Sequence, residues 1–118
     1  MFSPAVLDHF EHPRNAGELA DASAVVDVEN PVCGDILRLA IRVENGRITA
    51  ARFQARGCVV SMACASLVSE LLVGRTLDEA RAIAPEFLEN RLGGLEPATR
   101  HGAQLACDAV EALLARLR

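Results

Sequence analysis

From residue 37 to residue 55 the chain reads LRLAIRVENGRITAARFQA, and this stretch decides the fold. Apolar side chains occupy every second position from Leu37 to Val43, with arginine or alanine between them, as in a strand with one buried face. Asn45-Gly46 follows, a strong signal for a hairpin turn. The segment from Ile48 to Ala55 then returns as a second strand, although its apolar residues do not all fall on one face. The stretch therefore predicts an antiparallel hairpin.

The flanking segments extend this hairpin into a complete architecture. Ala24 to Val28 predicts a preceding strand, which gives a three-stranded antiparallel meander. Gly57-Cys58 ends the strand pattern, and helices are predicted over residues 61–73, 77–84, a short segment after Pro85, and 100–117. Strands followed by helices indicate an α+β fold, in which helices cover one face of the three-stranded sheet.

Local signals mark the ends of these helices and their apolar faces. Ser3-Pro4 is typical of a helix start, and Thr76 with Glu79 three residues later is a capping box. In the N-terminal helix, Val6, Leu7 and Phe10 are expected to share one face. In the last helix, a stripe with i, i+3, i+4 spacing predicts one buried face. This stripe comprises Ala103, Ala106, Cys107, Val110, Leu113, Leu114 and Leu117.

Composition excludes several classes of protein. A length of 118 residues predicts one domain over residues 1–118, and 51% apolar residues exclude disorder by composition. The net charge is −4, there is no run of basic residues, and four Phe are the only aromatic residues, so no nucleic-acid partner is expected. The most apolar stretch, Cys58 to Val73, is too short and too polar to span a membrane. With no secretory signal at the N-terminus, we expect a cytoplasmic protein without a membrane partner.

Four residues with side chains that can bind metal lie at the ends of predicted strands and helices. Cys33 and Asp35 lie in a loop that leads into a strand, Cys58 lies at a strand-to-helix junction, and His101 lies in the first turn of the last helix. Thiolate, imidazole and carboxylate together suit Zn²⁺ or iron. Taken singly, each motif is more often a buried thiol in a turn or a solvated histidine, and spacing alone does not bring the loops together.

The two remaining cysteines have the pattern of core residues. Cys64 falls on an apolar i, i+3, i+4, i+7 stripe with Leu67, Val68 and Leu71, and Cys107 lies inside the stripe of the last helix. We expect both to be small buried hydrophobic residues.

At this point the chain resembles a known family, the iron–sulfur cluster assembly scaffolds of the IscU type, which includes the N-terminal domain of NifU and the SufU proteins. The resemblance runs over nearly the full length. It is carried by motifs in the family's order: Asp8 to Gly17, Asn30-Pro31-Val32-Cys33-Gly34-Asp35, Gly57-Cys58 with Ser61-Met62-Ala63 and Ser66, Gly74 to Ala80, and His101 to Ala109.

The resemblance implies a function. Members of the family accept sulfur from a cysteine desulfurase, combine it with iron into a [2Fe–2S] cluster and pass the cluster to acceptor apo-proteins. Cys33, Asp35, Cys58 and His101 match ligand positions of the family, so the resemblance assigns iron, the cluster or Zn²⁺ to these four residues. It also implies a scaffold rather than an enzyme, with no catalytic residues.

Two departures from the family pattern stand in the C-terminal part. Gly102 occupies the position of the third cysteine, the one thought to receive sulfur, and the sequence alone suggests Gly102→Cys as a way to restore that ligand. Residues 95–99 read LEPAT where IscU proteins carry a Leu-Pro-Pro-Val-Lys segment, which argues against the dedicated Hsp70-type chaperone as a partner.

Because of the missing cysteine, the resemblance leaves three functions open. The first is a scaffold or carrier with a labile cluster, since carboxylate and imidazole replace soft thiolate on iron. The second is a zinc-binding acceptor of persulfide sulfur. The third is a metal-free paralogue that regulates the scaffold or the desulfurase.

Overall fold

The computed structural model describes residues 2–31 and 34–117. Three strands come first and most of the helices follow, as the sequence predicts. In chain order the elements are α1 (Pro4–Glu11), β1 (Ala24–Asn30), β2 (Asp35–Glu44), β3 (Arg47–Arg56), α2 (Val59–Leu72), α3 (Leu77–Arg81), α4 (Pro85–Arg91), a 3₁₀ turn (Pro97–Thr99) and α5 (His101–Arg116).

The sheet is an antiparallel meander in the order β1-β2-β3. Helices α2 and α5 pack against one of its faces, and α1 packs on α2. The predicted α+β architecture is confirmed. Alternate residues of β2, Leu37, Leu39 and Ile41, are each at most 1% exposed and form the centre of the core.

The weak alternation of β3 has a structural cause. The pairing register of β2 and β3 shifts between Arg42 and Val43, where Thr49 is the extra residue on β3. Such a bulge changes which parity of residues faces the core. Ile48 is therefore buried on one side of the bulge, while Ala51 and Phe53 are buried on the other.

Helix ends follow the local signals. The Ser3 side chain accepts a hydrogen bond from the Val6 N–H at the start of α1, and both hydrogen bonds of the Thr76–Glu79 capping box are present. Helix α3 ends at Arg81 and not at the predicted residue 84. Ala84 is extended, as expected for the residue before Pro85, which begins α4. Within residues 2–31 and 34–117, every helix is too short or too polar to cross a lipid bilayer.

Two predicted helix faces need correction. In α1 the buried side chains are Val6 and His9, whereas Leu7 and Phe10 are more than a third exposed. The buried face of α5 is wider than the predicted stripe, since Leu105 and Ala109 are also buried, and Cys107 is only half-buried at its edge. The reason is that α5 contacts α2, α3, α4 and the sheet, so more than one side of the helix is covered.

The antiparallel order of β2 and β3 brings distant residues to one end of the sheet. Ile36 pairs with Arg56, so Asp35 at the start of β2 lies beside Gly57 and Cys58 just beyond β3. The N-terminus of α5 lies at this same end, because the Gly102 backbone contacts the first turn of α2.

Candidate metal centre

Asp35 is held as a buried carboxylate at the first position of β2. Gly34 precedes it with φ +75°, a left-handed conformation that favours glycine, and the Gly34 N–H donates to the Asn30 carbonyl at 2.7 Å. The Asp35 side chain is 5% exposed. Cys33, the other predicted ligand of this loop, lies outside the described residues.

Gly57 makes room for the Asp35 carboxylate. A Cβ added at Gly57 would lie 2.6 Å from the Asp35 Cγ, closer than real Cβ atoms come. Any larger residue at this position would therefore displace the carboxylate. The glycine of the Gly57-Cys58 pair is thus a packing requirement of the site.

Cys58 is the N-cap residue of α2. Its Sγ accepts a hydrogen bond from the Ser61 N–H at 3.4 Å, and its own backbone N–H donates to Asp35 Oδ1 at 3.2 Å. An N-cap position places the sulfur among unpaired helix N–H groups, which stabilise negative charge. The residue is exposed, so its sulfur is available to a ligand or a partner.

His101 is the first residue of α5 and directs its ring toward both other groups. Its Nε2 lies 3.1 Å from Asp35 Oδ2 and 3.6 Å from Cys58 Sγ. The preceding residue, Arg100, forms an ion pair of 2.9 Å with Glu89 of α4, which ties the start of α5 to the neighbouring helix.

The three donor atoms have the mutual spacing of a metal site. Among the described residues, Asp35, Cys58 and His101 form a group whose ligand atoms all lie within 4.8 Å of one another. Zinc bonds of ordinary length at tetrahedral angles place neighbouring O, N and S ligands about 3.4 to 3.6 Å apart. The observed separations are 3.1 Å for N···O, 3.6 Å for S···N and 3.8 Å for S···O. Each separation lies within about 0.3 Å of the tetrahedral values, so small side-chain movements would bring the three atoms to ligand positions on Zn²⁺ or iron.

Cys64 and Cys107 stand apart from this centre. Cys64 is fully buried, and burial raises the pKa of its thiol to about 12. Cys107 is half-buried at the edge of the core, where its S–H donates to the Ile83 carbonyl at 3.7 Å. Burial raises the pKa of the Cys107 thiol to about 12 as well. Both cysteines are packing residues and neither contacts the centre.

Ser61 belongs to the centre and was not predicted from the sequence as a site residue. Its hydroxyl donates to Asp35 Oδ2 at 2.6 Å and lies 3.3 Å from Cys58 Sγ. A signal was present, because a residue three positions after the N-cap faces back toward the cap in the first helical turn. The sequence did not show that the Asp35 carboxylate would lie beside that turn.

Gly102 is buried against the first turn of α2. An ideal Cβ at Gly102 would lie 3.0 Å from the Ser61 Cα and 3.1 Å from the Ser61 N. These are backbone atoms of a helix, which cannot rotate away as the end of a flexible side chain can. A cysteine at this position therefore requires Ser61 or α5 to shift by a few tenths of an ångström, and the restoration of a ligand by Gly102→Cys stays a prediction.

Comparisons with known proteins agree with the fold. A sequence profile of the family described as NifU-like N terminal domain matches residues 1–117. The chain is 41% identical over 110 residues to the iron–sulfur cluster assembly scaffold protein IscU 1 of Archaeoglobus fulgidus, covering 93% of this chain and 72% of the relative. It is 40% identical over 118 residues to the scaffold protein IscU of Escherichia coli K12, covering 97% and 91%.

Solved structures share the fold at lower sequence identity. FiSufU of Fervidobacterium islandicum AW-1 superposes with a TM-score of 0.81 at 20% identity, covering 96% of both chains. The N-terminal part of a NifU-like protein from Brucella abortus superposes with a TM-score of 0.80 at 21% identity, covering 97% of this chain and 92% of that one.

Proposed function

Because the chain belongs to the family of NifU-like N-terminal domains, we propose that it is a scaffold on which an iron–sulfur cluster is assembled and from which the cluster is transferred. The observation that carries the proposal is the convergence of Asp35, Cys58 and His101 on one point. These residues come from three separate segments of the chain, and their donor atoms have the chemistry of metal ligands.

In this proposal four residues hold the cargo. Cys33, Asp35, Cys58 and His101 bind iron or the [2Fe–2S] cluster, and Cys33 precedes Asp35 by two residues in the sequence. When bound, iron supplies the thiophilic centre on which sulfide collects. The chain's own groups hold the site in place: the Cys58 sulfur accepts the Ser61 N–H at the N-terminus of α2, and the Cys58 N–H and the Ser61 hydroxyl hold the carboxylate.

The ligands of the proposed site favour a weakly held iron–sulfur cluster. Carboxylate and imidazole are harder ligands than thiolate and bind iron–sulfur clusters less tightly. Gly102 adds no donor, so the site has fewer soft ligands than a cluster with four cysteines. Weak ligation suits a protein that transfers its cluster to acceptor proteins.

The partners follow from the same proposal. A cysteine desulfurase supplies sulfur and acceptor apo-proteins receive the cluster, while the chain itself holds and transfers its cargo without a catalytic turnover of its own. The Leu95 to Thr99 segment forms part of the loop and 3₁₀ turn before α5. Its sequence is unlike the segment that the Hsp70-type chaperone reads, so this partner is not included.

A second function is favoured by the O, N and S composition of the donor set. One carboxylate, one imidazole and thiolates are a common ligand set for Zn²⁺. In that case the bound zinc keeps the thiolates deprotonated, and the protein exchanges persulfide sulfur with the desulfurase.

Anaerobic reconstitution separates these functions. The chain is incubated with Fe²⁺, cysteine, a cysteine desulfurase and dithiothreitol, which supplies the two electrons that reduce persulfide sulfur to sulfide. Cluster formation is followed by visible absorbance and by transfer to an apo-ferredoxin. We expect a coloured, transferable cluster in the wild type and in Cys107→Ser, the matched control, and none in Cys58→Ser. Colourless protein with one equivalent of zinc would favour the second function, and wild type that binds neither metal would refute both.

A further inference from the structure

Asp35 and Ser61 form the most buried polar contact at the metal centre. Asp35 is 4% exposed and Ser61 is 5% exposed. The 2.6 Å hydrogen bond from the Ser61 hydroxyl to Asp35 Oδ2 joins residues 26 positions apart in the sequence. From this contact we propose that Ser61 is a positioning residue of the centre, which holds the Asp35 carboxylate in the orientation that binds metal. The inference rests on the proposed function.

The carboxylate is fixed through both of its oxygens. Oδ1 accepts the Cys58 backbone N–H at 3.2 Å, and Oδ2 accepts the Ser61 hydroxyl. Each carboxylate oxygen has two lone pairs. With one lone pair of Oδ2 used by Ser61, the other remains for Cys58 Sγ, 3.8 Å away, and His101 Nε2, 3.1 Å away. Ser61 thereby selects the direction from which a metal ion is bound.

Ser61 is itself held in place from two sides. Its backbone N–H is tied to Cys58 Sγ at 3.4 Å in the first turn of α2. On the opposite side Gly102 approaches so closely that an ideal Cβ there would lie 3.2 Å from Ser61 Oγ and 3.0 Å from its Cα. A hydroxyl confined in this way loses little further freedom when metal binds. The absence of a side chain at Gly102 is what permits this packing.

The other buried serines of α2 show that the arrangement is particular to Ser61. Ser66 Oγ contacts His9 Nδ1 at 2.8 Å and accepts the Arg14 N–H at 2.9 Å. The Ser69 hydroxyl contacts the Ser66 and Arg14 carbonyls at 2.7 and 3.1 Å. Ser66 therefore fastens α2 to α1 and to the loop that follows α1, and Ser69 fastens α2 to that loop. Ser69 is fully buried and contacts no residue of the centre, so Ser69→Ala is a matched control for Ser61→Ala.

Groups that orient metal ligands affect metal affinity without touching the metal. Their removal weakens binding by roughly 10- to 100-fold in well-studied sites. We expect Ser61→Ala to weaken Zn²⁺ binding by at least about tenfold, because the carboxylate then samples orientations that do not face His101 and Cys58. Ser69→Ala should leave zinc affinity within about twofold of the wild type, because its hydroxyl is bonded elsewhere.

A metal-free measurement tests the positioning role by itself. The Cys58 amide donates to Asp35 Oδ1, so a loosened carboxylate exposes this amide to solvent. Hydrogen exchange of the Cys58 amide, measured by NMR relative to the Leu39 amide in the sheet, should become faster in Ser61→Ala and remain unchanged in Ser69→Ala. Zn²⁺ affinity is measured on the same samples by competition with a chelating dye.

The outcomes separate this inference from the proposed function. Faster Cys58 exchange together with weaker zinc binding supports it. Unchanged exchange, or unchanged zinc affinity despite faster exchange, overturns it. If exchange becomes faster but the wild type binds no metal, the carboxylate-holding role stands and the proposed function fails.

A double-mutant cycle tests whether Ser61 acts through Asp35. In an Asp35→Ala background there is no carboxylate to position, so adding Ser61→Ala should change zinc affinity less than about twofold. A loss of tenfold or more in that background would mean that Ser61 acts through the helix and not through Asp35, and would overturn the inference.

Discussion

Gly102 of α5 lies directly against Ser61 of α2, and a Cβ added at Gly102 would be 3.0 Å from the Ser61 Cα. The scaffold family that the chain resembles carries a cysteine at this position. Here the position is a glycine, and its backbone packs closely against Ser61. The two helices meet at this point, beside the buried Asp35 carboxylate. The glycine that stands at the cysteine position therefore also contacts the serine that binds Asp35.

Gly102→Ala tests whether the contact between Gly102 and Ser61 tolerates an added methyl group. In an unobstructed helix the change would add up to about 1 kcal/mol to the free energy of unfolding. Here we expect a loss of about 1 to 2 kcal/mol, because the new methyl group overpacks against backbone atoms. Urea unfolding of metal-free protein should be followed by circular dichroism, since the chain has no Trp or Tyr. A gain in stability would show that Ser61 and α5 separate readily and that Gly102→Cys is a practical way to add a thiolate.

The cysteines should differ strongly in their reaction with iodoacetamide. Cys58 is exposed and should be alkylated quickly. Cys64 and Cys107, with thiol pKa values raised to about 12, have only roughly one thiolate in ten thousand near pH 8 and should react very slowly.

Mass spectrometry can assign each site of alkylation. Cys58 and Cys64 fall in one tryptic peptide, Gly57 to Arg75, so fragmentation of that peptide is needed to tell them apart. Zn²⁺ should protect Cys58 and leave Cys64 and Cys107 unchanged. Rapid alkylation of Cys107 in folded protein would contradict its assignment as a packing residue.

Metal binding should strengthen as pH rises from about 5 to 8, because thiol and imidazole ligands must lose protons to bind metal. His101→Ala should weaken Zn²⁺ binding and flatten the lower part of this profile. His12→Ala is a suitable control, since His12 is exposed and lies outside the centre. An identical profile for His101→Ala and the wild type would remove histidine from the ligand set.

His9 should make the stability of the metal-free protein depend on pH. Burial is the main cause that lowers the pKa of His9 below its usual 6.5, and the Arg14 charge adds to the effect. Below about pH 6.5 the unfolded chain therefore binds a proton more readily than the folded protein. The free energy of unfolding should decrease as pH falls through this range, and the full contribution is present above pH 6.5.

A matched variant isolates the contribution of His9. His9→Asn keeps a polar group near the Ser66 hydroxyl, which lies 2.8 Å from His9 Nδ1, and removes the titration. We expect the free energy of unfolding of His9→Asn to vary less between pH 7.5 and 5.5 than that of the wild type. Equal slopes for the two proteins would show that protonation of another group controls stability in this range.

The hairpin, the sheet order and the capping box were readable from sequence because each depends on neighbours in the chain. Alternation along β2 and the Asn45-Gly46 turn specify a local pairing. The Thr76–Glu79 box closes within three residues. In contrast, the buried role of His9 could not be read locally, because its partner Ser66 is 57 residues away.

The sequence by itself determined which residue types could bind metal and at which element ends they stand: Asp35 at the start of a strand, Cys58 before a helix and His101 at the start of another. Only the tertiary structure decided that their donor atoms lie within 4.8 Å of one another. It also decided that Ser61 joins them and that Gly102 closes the space beside Ser61. The physical reason is that these contacts depend on how α2 and α5 pack at the end of the sheet. That packing depends on side-chain volumes across the whole core, and no periodicity or residue spacing in the sequence predicts it.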